Sequence, residues 1–320
     1  MARAVELGEA ARGTTAPNPA VGCVIVKDEQ IVGEGATAAG GRPHAEKAAL
    51  DAAGAAAKGA TLYTTLEPCA HDSERGPTCA AIIPEAGISE VVIACADPDP
   101  RTAGSGIEML RAAGIDVRMG PNAAAARSLS GYLTRIMLGR PRVTLKLALS
   151  IDGKIALPSG ESKWLTGEDA RAHVHAERAS ADMILVGRGT YEADQPRLDV
   201  RLPGLEDKSP ARALLSRTAE PLEGWTMLRS PTDIMALPVN DLLVEGGSGV
   251  ATAFLAEDLV DRILIYRAPI LIGEGQSSIG YIGLDKINDA HGRWRAVAGE
   301  ALGIDRLEVY ERLRDLDQEG

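Results

Sequence analysis

The chain has 320 residues, 45% of them hydrophobic and 25% charged, which suits about two folded domains and excludes a disordered protein. Its formal net charge of −11, with only three Trp, six Tyr and one Phe, argues against binding to nucleic acid or to an anionic membrane. Four cysteines are too few for a disulfide scaffold of this size, so metal ligation, thiol chemistry or simple burial explains them better.

The first thirteen residues, MARAVELGEAARG, contain acids and no apolar run, and they predict an amphipathic helix and not a signal peptide. No apolar stretch reaches the length of a membrane span; 91–96 is too short and 263–272 carries Arg267. We therefore expect a soluble cytoplasmic protein.

Apolar runs of strand length alternate with alanine-rich helical segments along the first part of the chain. Strands are predicted at 20–26, 61–66 and 91–96, with helices at 44–56 and 78–86 between them. A helix at 106–113, a short strand at 115–118 and a long helix at 122–138 follow. This alternation predicts a layered α/β domain.

Gly139-Arg140-Pro141 is the best candidate for a domain boundary, because a capped helix ends there and a new strand begins. The predicted domains are 1–139 and 140–320. The second again mixes strands with helices: strands at 143–149, 183–186, 242–244 and 262–268, and helices at 168–179 and 250–256. Its middle, 202–239, is rich in Pro and charge and shows no clear pattern.

One histidine and two cysteines make a candidate metal site in the first domain. His44 opens a helix, Cys69 follows a strand and Cys79 comes ten positions later. Three such ligands leave a fourth zinc position for water, as in catalytic sites. Glu46, two residues after His44, can reach that water as a general acid and base.

Each of these residues is weak evidence alone, because a single histidine or cysteine usually has a structural role. Together they approach the H-x-E and P-C-x-x-C signature of zinc nucleobase deaminases. The cysteine spacing is wider here, so 70–78 is expected to be a loop that brings Cys79 to the metal and contacts substrate. The other two cysteines, Cys23 and Cys95, lie in apolar runs and are assigned to the core.

A longer series of motifs resembles one family over nearly the whole chain. In the first domain these are Asn18-Pro19, Val21-Gly22-Cys23, His44-Ala45-Glu46 and Thr65-Leu66-Glu67-Pro68-Cys69-Ala70-His71. In the second they are Thr144-Leu145-Lys146, Ser150-Ile151-Asp152-Gly153-Lys154, Gly160-Glu161-Ser162-Lys163-Trp164, Gly187-Arg188-Gly189-Thr190, Ala193-Asp194 and Val244-Glu245-Gly246-Gly247. They resemble the bifunctional deaminase/reductases of riboflavin biosynthesis.

The resemblance implies a cytidine-deaminase-like three-layer domain followed by a dihydrofolate-reductase-like domain. It implies hydrolytic deamination of 2,5-diamino-6-ribosylamino-4(3H)-pyrimidinone 5′-phosphate and then reduction of the ribosyl group to ribityl. The implied cofactors are one Zn²⁺ per chain and NADPH.

Residue roles follow from the same resemblance. It places zinc on His44, Cys69 and Cys79, proton transfer on Glu46, and substrate contacts in the first domain on Asn18, His71 and Arg75. In the second domain, substrate positions are Lys146, Ser162, Arg178, Leu198, Arg201 and Glu245. Cofactor positions are Ala148, Trp164, Thr190, Asp194, Gly246, Gly247, Ser248 and Gly249.

The chain departs from the family pattern in three places. Nine residues separate Cys69 from Cys79 where the family usually has eight, so the phosphate-binding residue of that loop stays open. Only 43 residues lie between Arg201 and Glu245, fewer than is usual, and the Asp-Ser pair that lies near the cofactor is replaced by Ser216-Arg217.

Alternatives therefore remain. In one alternative, the second half binds substrate or mediates assembly but catalyses no reduction, and the protein is a deaminase only. A nucleic-acid editing deaminase fits the acidic charge poorly, and a zinc-stabilised scaffold without activity is the non-enzymatic alternative. We expect a phosphorylated pyrimidine as substrate, no nucleic-acid or membrane partner, and a homodimer.

Overall fold

In a computed structural model, the chain forms two compact units, Met1–Arg140 and Pro141–Gly320. The structure describes residues 1–71 and 76–314. The division falls one residue from the predicted boundary. No helix in these described ranges is long and apolar enough to cross a membrane.

Within its described residues, the first unit contains five strands and six α-helices. In chain order they are α1 (Ala2–Ala11), β1 (Gly22–Lys27), β2 (Gln30–Ala36), α2 (Ala45–Ala53), β3 (Thr61–Thr64), α3 (Cys79–Glu85), β4 (Glu90–Ile93), α4 (Ser105–Ala112), β5 (Asp116–Met119), α5 (Ala123–Ser128) and α6 (Ser130–Leu138). The sequence predicted one helix at 122–138; the structure has two, α5 and α6, joined at Leu129.

The five strands form one sheet in the order β2-β1-β3-β4-β5, with β3, β4 and β5 parallel. Ala49, Ile83 and Leu110, from α2, α3 and α4, belong to the main core cluster. A smaller cluster joins Val5 of α1 to Ala125 of α5. Helices therefore cover both faces of the sheet, and the parallel strands have their carboxyl ends at one edge, where ligand sites commonly form.

Helix α1 packs against β1 at a point where only glycine fits. A Cβ atom on Gly22 would lie 1.8 Å from the carbonyl oxygen of Ala4. The close contact packs α1 directly against β1 at the glycine of the Val21-Gly22-Cys23 motif.

Up to residue 314, where the description ends, the second unit contains ten strands and three α-helices. They are β6 (Arg142–Leu149), β7 (Lys154–Ala156), α7 (Glu168–Ala179), β8 (Met183–Gly187), α8 (Arg188–Asp194), β9 (Ala211–Leu215), β10 (Trp225–Leu228), β11 (Asp241–Glu245), α9 (Ser248–Ala256), β12 (Arg262–Arg267), β13 (Gln276–Ser277), β14 (Trp294–Leu302) and β15 (Asp305–Arg312).

Eight of these strands form a sheet in the order β10-β9-β8-β11-β6-β12-β15-β14. The first six strands in this order, which end with β12, are all parallel to their neighbours. At the other edge, β15 pairs antiparallel with both β12 and β14. Leu145, Leu185, Val244 and Phe254 are fully buried in the main core cluster of this unit. The short strands β7 and β13 pair separately.

The segment 202–239, which shows no clear sequence pattern, contains β9 and β10. These two parallel strands are joined by residues 216–224 without an α-helix. A parallel connection usually needs a dozen or more residues and a helix. The stretch that is short compared with the family pattern therefore contains the crossover from β9 to β10, which lacks a helix. Both strands that this crossover joins are present.

Candidate functional sites

The three predicted zinc ligands lie together in the first unit. His44 is the N-cap residue of α2, and Cys79 is the first residue of α3. The Nδ1 atom of His44 lies 3.5 Å from Sγ of Cys69 and 3.4 Å from Sγ of Cys79. All three ligand atoms lie within 4.8 Å of one another, so two helix starts and the turn after β3 converge on one point.

These distances fit a zinc ion. Bond lengths of about 2.3 Å to sulfur and about 2.0 Å to nitrogen, at a tetrahedral angle, separate the two ligand atoms by about 3.5 Å. The observed separations of 3.4 and 3.5 Å agree with that value. Two thiolates and one imidazole are also a donor set that zinc prefers, and three protein ligands leave one position free.

Glu46 lies beside this cluster, in the first turn of α2, and is 3% exposed. Its Oε2 accepts a hydrogen bond of 3.3 Å from the thiol of Cys79, and its Oε1 accepts one of 3.4 Å from Thr64. The carboxylate is therefore held next to the metal position without being one of the three ligands.

Burial and neighbouring charges tune the groups of this cluster. The interaction with the Cys79 side chain, together with hydrogen bonds from His44 and from the Cys79 amide, lowers the pKa of Cys69 to about 4. The hydrogen bond to Cys69, together with burial, raises the pKa of Cys79. Burial, followed by the charge of Cys69, raises the pKa of Glu46. A carboxyl group with a raised pKa suits a residue that both accepts and returns a proton near neutral pH.

A buried carboxylate anchors the loop that carries Cys69. Glu67 is 2% exposed and accepts hydrogen bonds from the backbone amides of Asp97, Gly104, Gly106 and Ile107, at 3.0 to 3.3 Å. The pairing of two segments distant in sequence fixes the turn that leads to the first cysteine. Sequence motifs alone gave Glu67 no role.

Two of the three substrate residues predicted for this unit, His71 and Asn18, lie in described loops. Nδ1 of His71 lies 3.3 Å from the hydroxyl of the fully buried Thr102. Asn18 lies in the loop before β1, where its side chain contacts Gly41, three residues before His44. Arg75 lies outside the described residues.

The second unit contains a cavity of about 1200 Å³ along the carboxyl ends of β6, β8, β9 and β11. It is large enough for a dinucleotide and a small substrate together. Every site residue predicted for the second domain lines it: Lys146, Ala148, Ser162, Trp164, Arg178, Thr190, Asp194, Leu198, Arg201, Glu245, Gly246, Gly247, Ser248 and Gly249.

One end of the cavity holds a buried group of charges. Arg178 donates two hydrogen bonds to the carboxylate of Glu245, at 2.7 and 3.0 Å, and Nζ of Lys146 lies 3.8 Å from the same carboxylate. Burial raises the pKa of Glu245, but the charges of Lys146 and Arg178 outweigh it and the net shift is downward. Glu245 is thus held as a carboxylate between two cations.

The glycine-rich turn after β11 forms the middle of the cavity. Gly247 is the N-cap residue of α9 and supplies no side-chain cap, and Gly249 has open space where a Cβ would stand. Backbone amides at the start of a nine-residue helix can therefore approach a phosphate closely. This turn fits the pyrophosphate of a dinucleotide such as NADPH.

Other cavity residues had no role from the sequence. His175, Arg188 and Arg229 are such residues, whereas Ser216 and Arg217, which stand at a position expected near the cofactor, also line the cavity. Single exposed arginines carry no periodic signal, and the fold alone brings these positions together.

Two family models match the chain. The model for the cytidine and deoxycytidylate deaminase zinc-binding region matches residues 1–95. The model for the RibD C-terminal domain matches residues 141–235 and 232–305.

Curated relatives match nearly the full length. The riboflavin biosynthesis protein RibD of Haemophilus influenzae is 37% identical over 360 residues, covering 97% of this chain and 96% of the relative. The RibD protein of Mycobacterium tuberculosis is 40% identical over 332 residues, covering 96% and 95%.

Solved structures agree with this match and confirm the expected fold class. Acinetobacter baumannii RibD superimposes with a TM-score of 0.88 at 35% identity, covering 98% of both chains. A diaminohydroxyphosphoribosylaminopyrimidine deaminase/5-amino-6-(5-phosphoribosylamino)uracil reductase from Thermotoga maritima superimposes with a TM-score of 0.88 at 32% identity, covering 98% of this chain and 97% of that one. The chain belongs to the RibD family of bifunctional riboflavin-biosynthesis enzymes, which join a zinc-binding deaminase to an NADPH-dependent reductase.

Proposed function

We propose that residues 1–139 remove the exocyclic amine of 2,5-diamino-6-ribosylamino-4(3H)-pyrimidinone 5′-phosphate by hydrolysis. The observation that carries this proposal is the convergence of His44, Cys69 and Cys79 beside the buried Glu46. A zinc ion held by the three ligands supplies an activated water near neutral pH. Among the known RibD relatives, the Thermotoga maritima protein is named for this deaminase activity.

Glu46 moves the proton in this proposal. Its carboxylate takes the proton of the attacking water and delivers it to the departing amine, which leaves as ammonia. His71, oriented by Thr102, and Asn18 contact the substrate from the two loops that flank the cluster. A basic residue of the loop between the cysteines, Arg75 in this proposal, meets the phosphate.

The variant Glu46→Gln tests this role. We expect ammonia release to fall by about a hundredfold or more, because the amide cannot carry the proton, while one zinc per chain is retained. Zinc content by atomic spectroscopy and ammonia release by a coupled assay measure the two effects. Glu85→Gln, at the exposed end of α3, is the matched control and keeps full activity. Full activity in Glu46→Gln would contradict the assignment.

We further propose that residues 140–320 reduce the ribosyl group of the deaminated product to ribityl. NADPH supplies the hydride when bound. Lys146, Arg178 and Glu245 hold the phosphorylated substrate with Ser162, Leu198 and Arg201. Ala148, Trp164, Thr190, Asp194 and the 246–249 turn receive the cofactor. The intact cavity supports reduction over the alternative of a deaminase whose second half only binds substrate.

We also propose a cytoplasmic homodimer without nucleic-acid partners. Cysteines without disulfide bonds suit a reducing compartment, and a net charge of −11 disfavours nucleic acid. The edge strand β14 exposes seven consecutive residues, and exposed edges are where chains pair. Sedimentation velocity tests the dimer, and a filter-binding assay at low salt tests the absence of nucleic-acid binding.

A further inference from the structure

The segment 195–201 carries the proposed substrate residues Leu198 and Arg201 along one wall of the cavity. Leu198 has a φ of 57°, in the left-handed region that leucine rarely adopts. Its side chain is 4% exposed and belongs to a buried apolar cluster with Ile184 and Leu214. Such a backbone conformation persists only where neighbouring groups hold it. The contacts of this segment therefore decide where Arg201 stands.

Two side chains of helix α7 hold this segment by its backbone. The guanidinium of Arg178 donates a hydrogen bond to the carbonyl oxygen of Asp199, at 3.2 Å. Three residues earlier on the same helix, Nδ1 of His175 accepts a hydrogen bond from the backbone amide of Arg201, at 3.3 Å. Residues three apart lie on one face of a helix, so Arg178 and His175 grip residues 199 and 201 together. Both side chains also line the cavity.

The hydrogen bond from Arg201 requires a neutral imidazole. An amide N–H can donate only to a ring nitrogen that carries no proton, and both nitrogens carry one in the protonated ring. Burial and the charges of Arg178 and Arg201 lower the pKa of His175 below the ordinary histidine value of about 6.5. The acceptor is therefore present at neutral pH and is lost as pH falls through the lowered pKa.

Charged side chains stand around this end of the cavity on α7, the segment 195–201, β11 and β6: Arg171 and Arg178, Arg197, Asp199 and Arg201, Glu245, and Lys146. Of these, Arg178, Arg201 and Asp199 act directly on the imidazole. Cations outnumber carboxylates here, and their field disfavours a further positive charge on the ring. The surroundings of His175 thus suit a neutral acceptor.

We propose that His175 is a positioning residue for the substrate, because its neutral imidazole holds the backbone of Arg201 where that arginine meets the phosphorylated ligand. The inference rests on the substrate role proposed above for Arg201. The share of substrate affinity that depends on this hydrogen bond is complete above the pKa of His175 and disappears below it. Reduction itself needs no proton on this ring, so the effect falls on KM and not on kcat.

Binding of ribose 5-phosphate to the zinc-loaded full chain tests this role, because the probe carries the phosphorylated sugar alone. His175→Phe keeps a ring but offers no acceptor, and we expect it to raise the Kd by about fivefold at pH 8. His175→Asn places an acceptor oxygen near the position of Nδ1 and should stay within about twofold of wild type. Calorimetry gives these constants.

Turnover of the deaminated intermediate should follow the same pattern. We expect the KM of His175→Phe to rise by about fivefold while kcat changes by less than about twofold, since the bond acts on substrate binding. NADPH oxidation measures both constants. An unchanged Kd for NADPH shows that each variant retains the folded cavity.

The pH dependence separates positioning from packing. The phosphate itself titrates near pH 6, so each variant is compared with wild type at the same pH. As pH falls from about 8 to about 5, the Kd ratio of His175→Phe to wild type should shrink toward one, because the wild-type ring loses its acceptor. At the low end His175→Asn should bind more tightly than wild type, since its amide does not titrate.

His291→Asn is the matched control, because His291 is exposed and does not line the cavity. It should keep the wild-type affinity and pH dependence. A His175→Phe ratio that stays constant with pH, or a loss in His175→Asn as large as in His175→Phe, would overturn the proposal. So would a ratio that grows at low pH, which would mean that the ring binds the phosphate as a cation.

Arg201→Gln separates this inference from the proposed function on which it rests. If Arg201→Gln binds ribose 5-phosphate as tightly as wild type does, the substrate role of Arg201 fails and the inference fails with it. If Arg201→Gln binds weakly while His175→Phe binds normally, only the inference fails. Weak binding in both variants, with recovery in His175→Asn, is the expected result.

Discussion

Glu245 shows how a single buried carboxylate links stability to pH in the second unit. It is fixed by Arg178 and lies near Lys146, with side chains of Glu245 and Arg178 only 11% and 12% exposed. The downward shift of its pKa means that the folded protein binds its proton less readily than the unfolded chain. Its stabilising contribution is therefore complete above the unfolded pKa, about 4.3, and is lost as pH falls through the lower folded value.

Glu245→Gln is expected to destabilise the second unit by about 3 kcal/mol at pH 7, because it leaves Arg178 without its charged partner. The difference from wild type should shrink as pH falls below about 4, where the wild-type carboxylate also becomes neutral. Calorimetric unfolding between pH 7 and pH 3 measures it. Glu192→Gln, which removes an exposed pair with Arg188, should change stability by less than about 0.5 kcal/mol. A difference that is constant with pH would contradict this account.

The zinc residues were predictable from sequence because their types and order carry the chemistry. His44, Glu46, Cys69 and Cys79 stand in a recognisable motif, and geometry adds only that they meet. Glu67 was not predictable in this way. Its anchoring role is visible only in the structure, where four backbone amides from a distant segment donate hydrogen bonds to its carboxylate.

At the scale of elements, the turn after β3 depends on the segment that leads into α4 and on the first turn of that helix. Glu67 accepts hydrogen bonds from the amides of Gly104, before α4, and of Gly106, within it, and His71 lies beside Thr102 of the preceding segment. The loop after β3, which carries both Cys69 and His71, is therefore held at two points by that region.

Glu67→Gln tests this coupling. The glutamine side chain offers one acceptor oxygen where the carboxylate offers two. Some of the four backbone amides that donate to Glu67 therefore lose their acceptor, at a cost of about 2 kcal/mol. Hydrogen exchange across 97–107 should accelerate by roughly tenfold or more, with little change in β4. Glu85→Gln again serves as control. Unaltered exchange in 97–107 would show that Glu67 does not anchor the segment.

Several elements were missed by sequence patterns for physical reasons. Strand β2 contains Gly33 and Gly35, which lower strand propensity, yet a Cβ on either would lie within 2.4 Å of a carbonyl oxygen of α2. The glycines are needed for the helix to approach. Strand β14 exposes nearly all its residues, so it lacks the alternation that marks a half-buried strand.

For the whole molecule, charge is distributed unevenly. The chain carries −11 overall, but the cavity of the second unit is lined by nine lysine and arginine side chains and two carboxylates within the described residues. An anionic substrate and an anionic cofactor are therefore met by a local positive field that composition does not reveal.

The two chemistries should be separable in the intact chain. Removing zinc with a chelator should abolish ammonia release, because water that is not bound to zinc keeps its high pKa and is a poor nucleophile at neutral pH. NADPH oxidation with the deaminated intermediate supplied should continue, since the cavity of the second unit contains no metal ligand from the His44 cluster. Restoring zinc should restore ammonia release. Loss of both activities together on chelation would contradict two independent sites.

The most direct test of the account follows ammonia and NADPH separately during turnover of the diaminopyrimidine phosphate. With NADPH present, we predict that one NADPH is oxidised for each ammonia released, and without it that ammonia still appears. Ammonia release with no NADPH oxidation would contradict the bifunctional account and leave a deaminase alone.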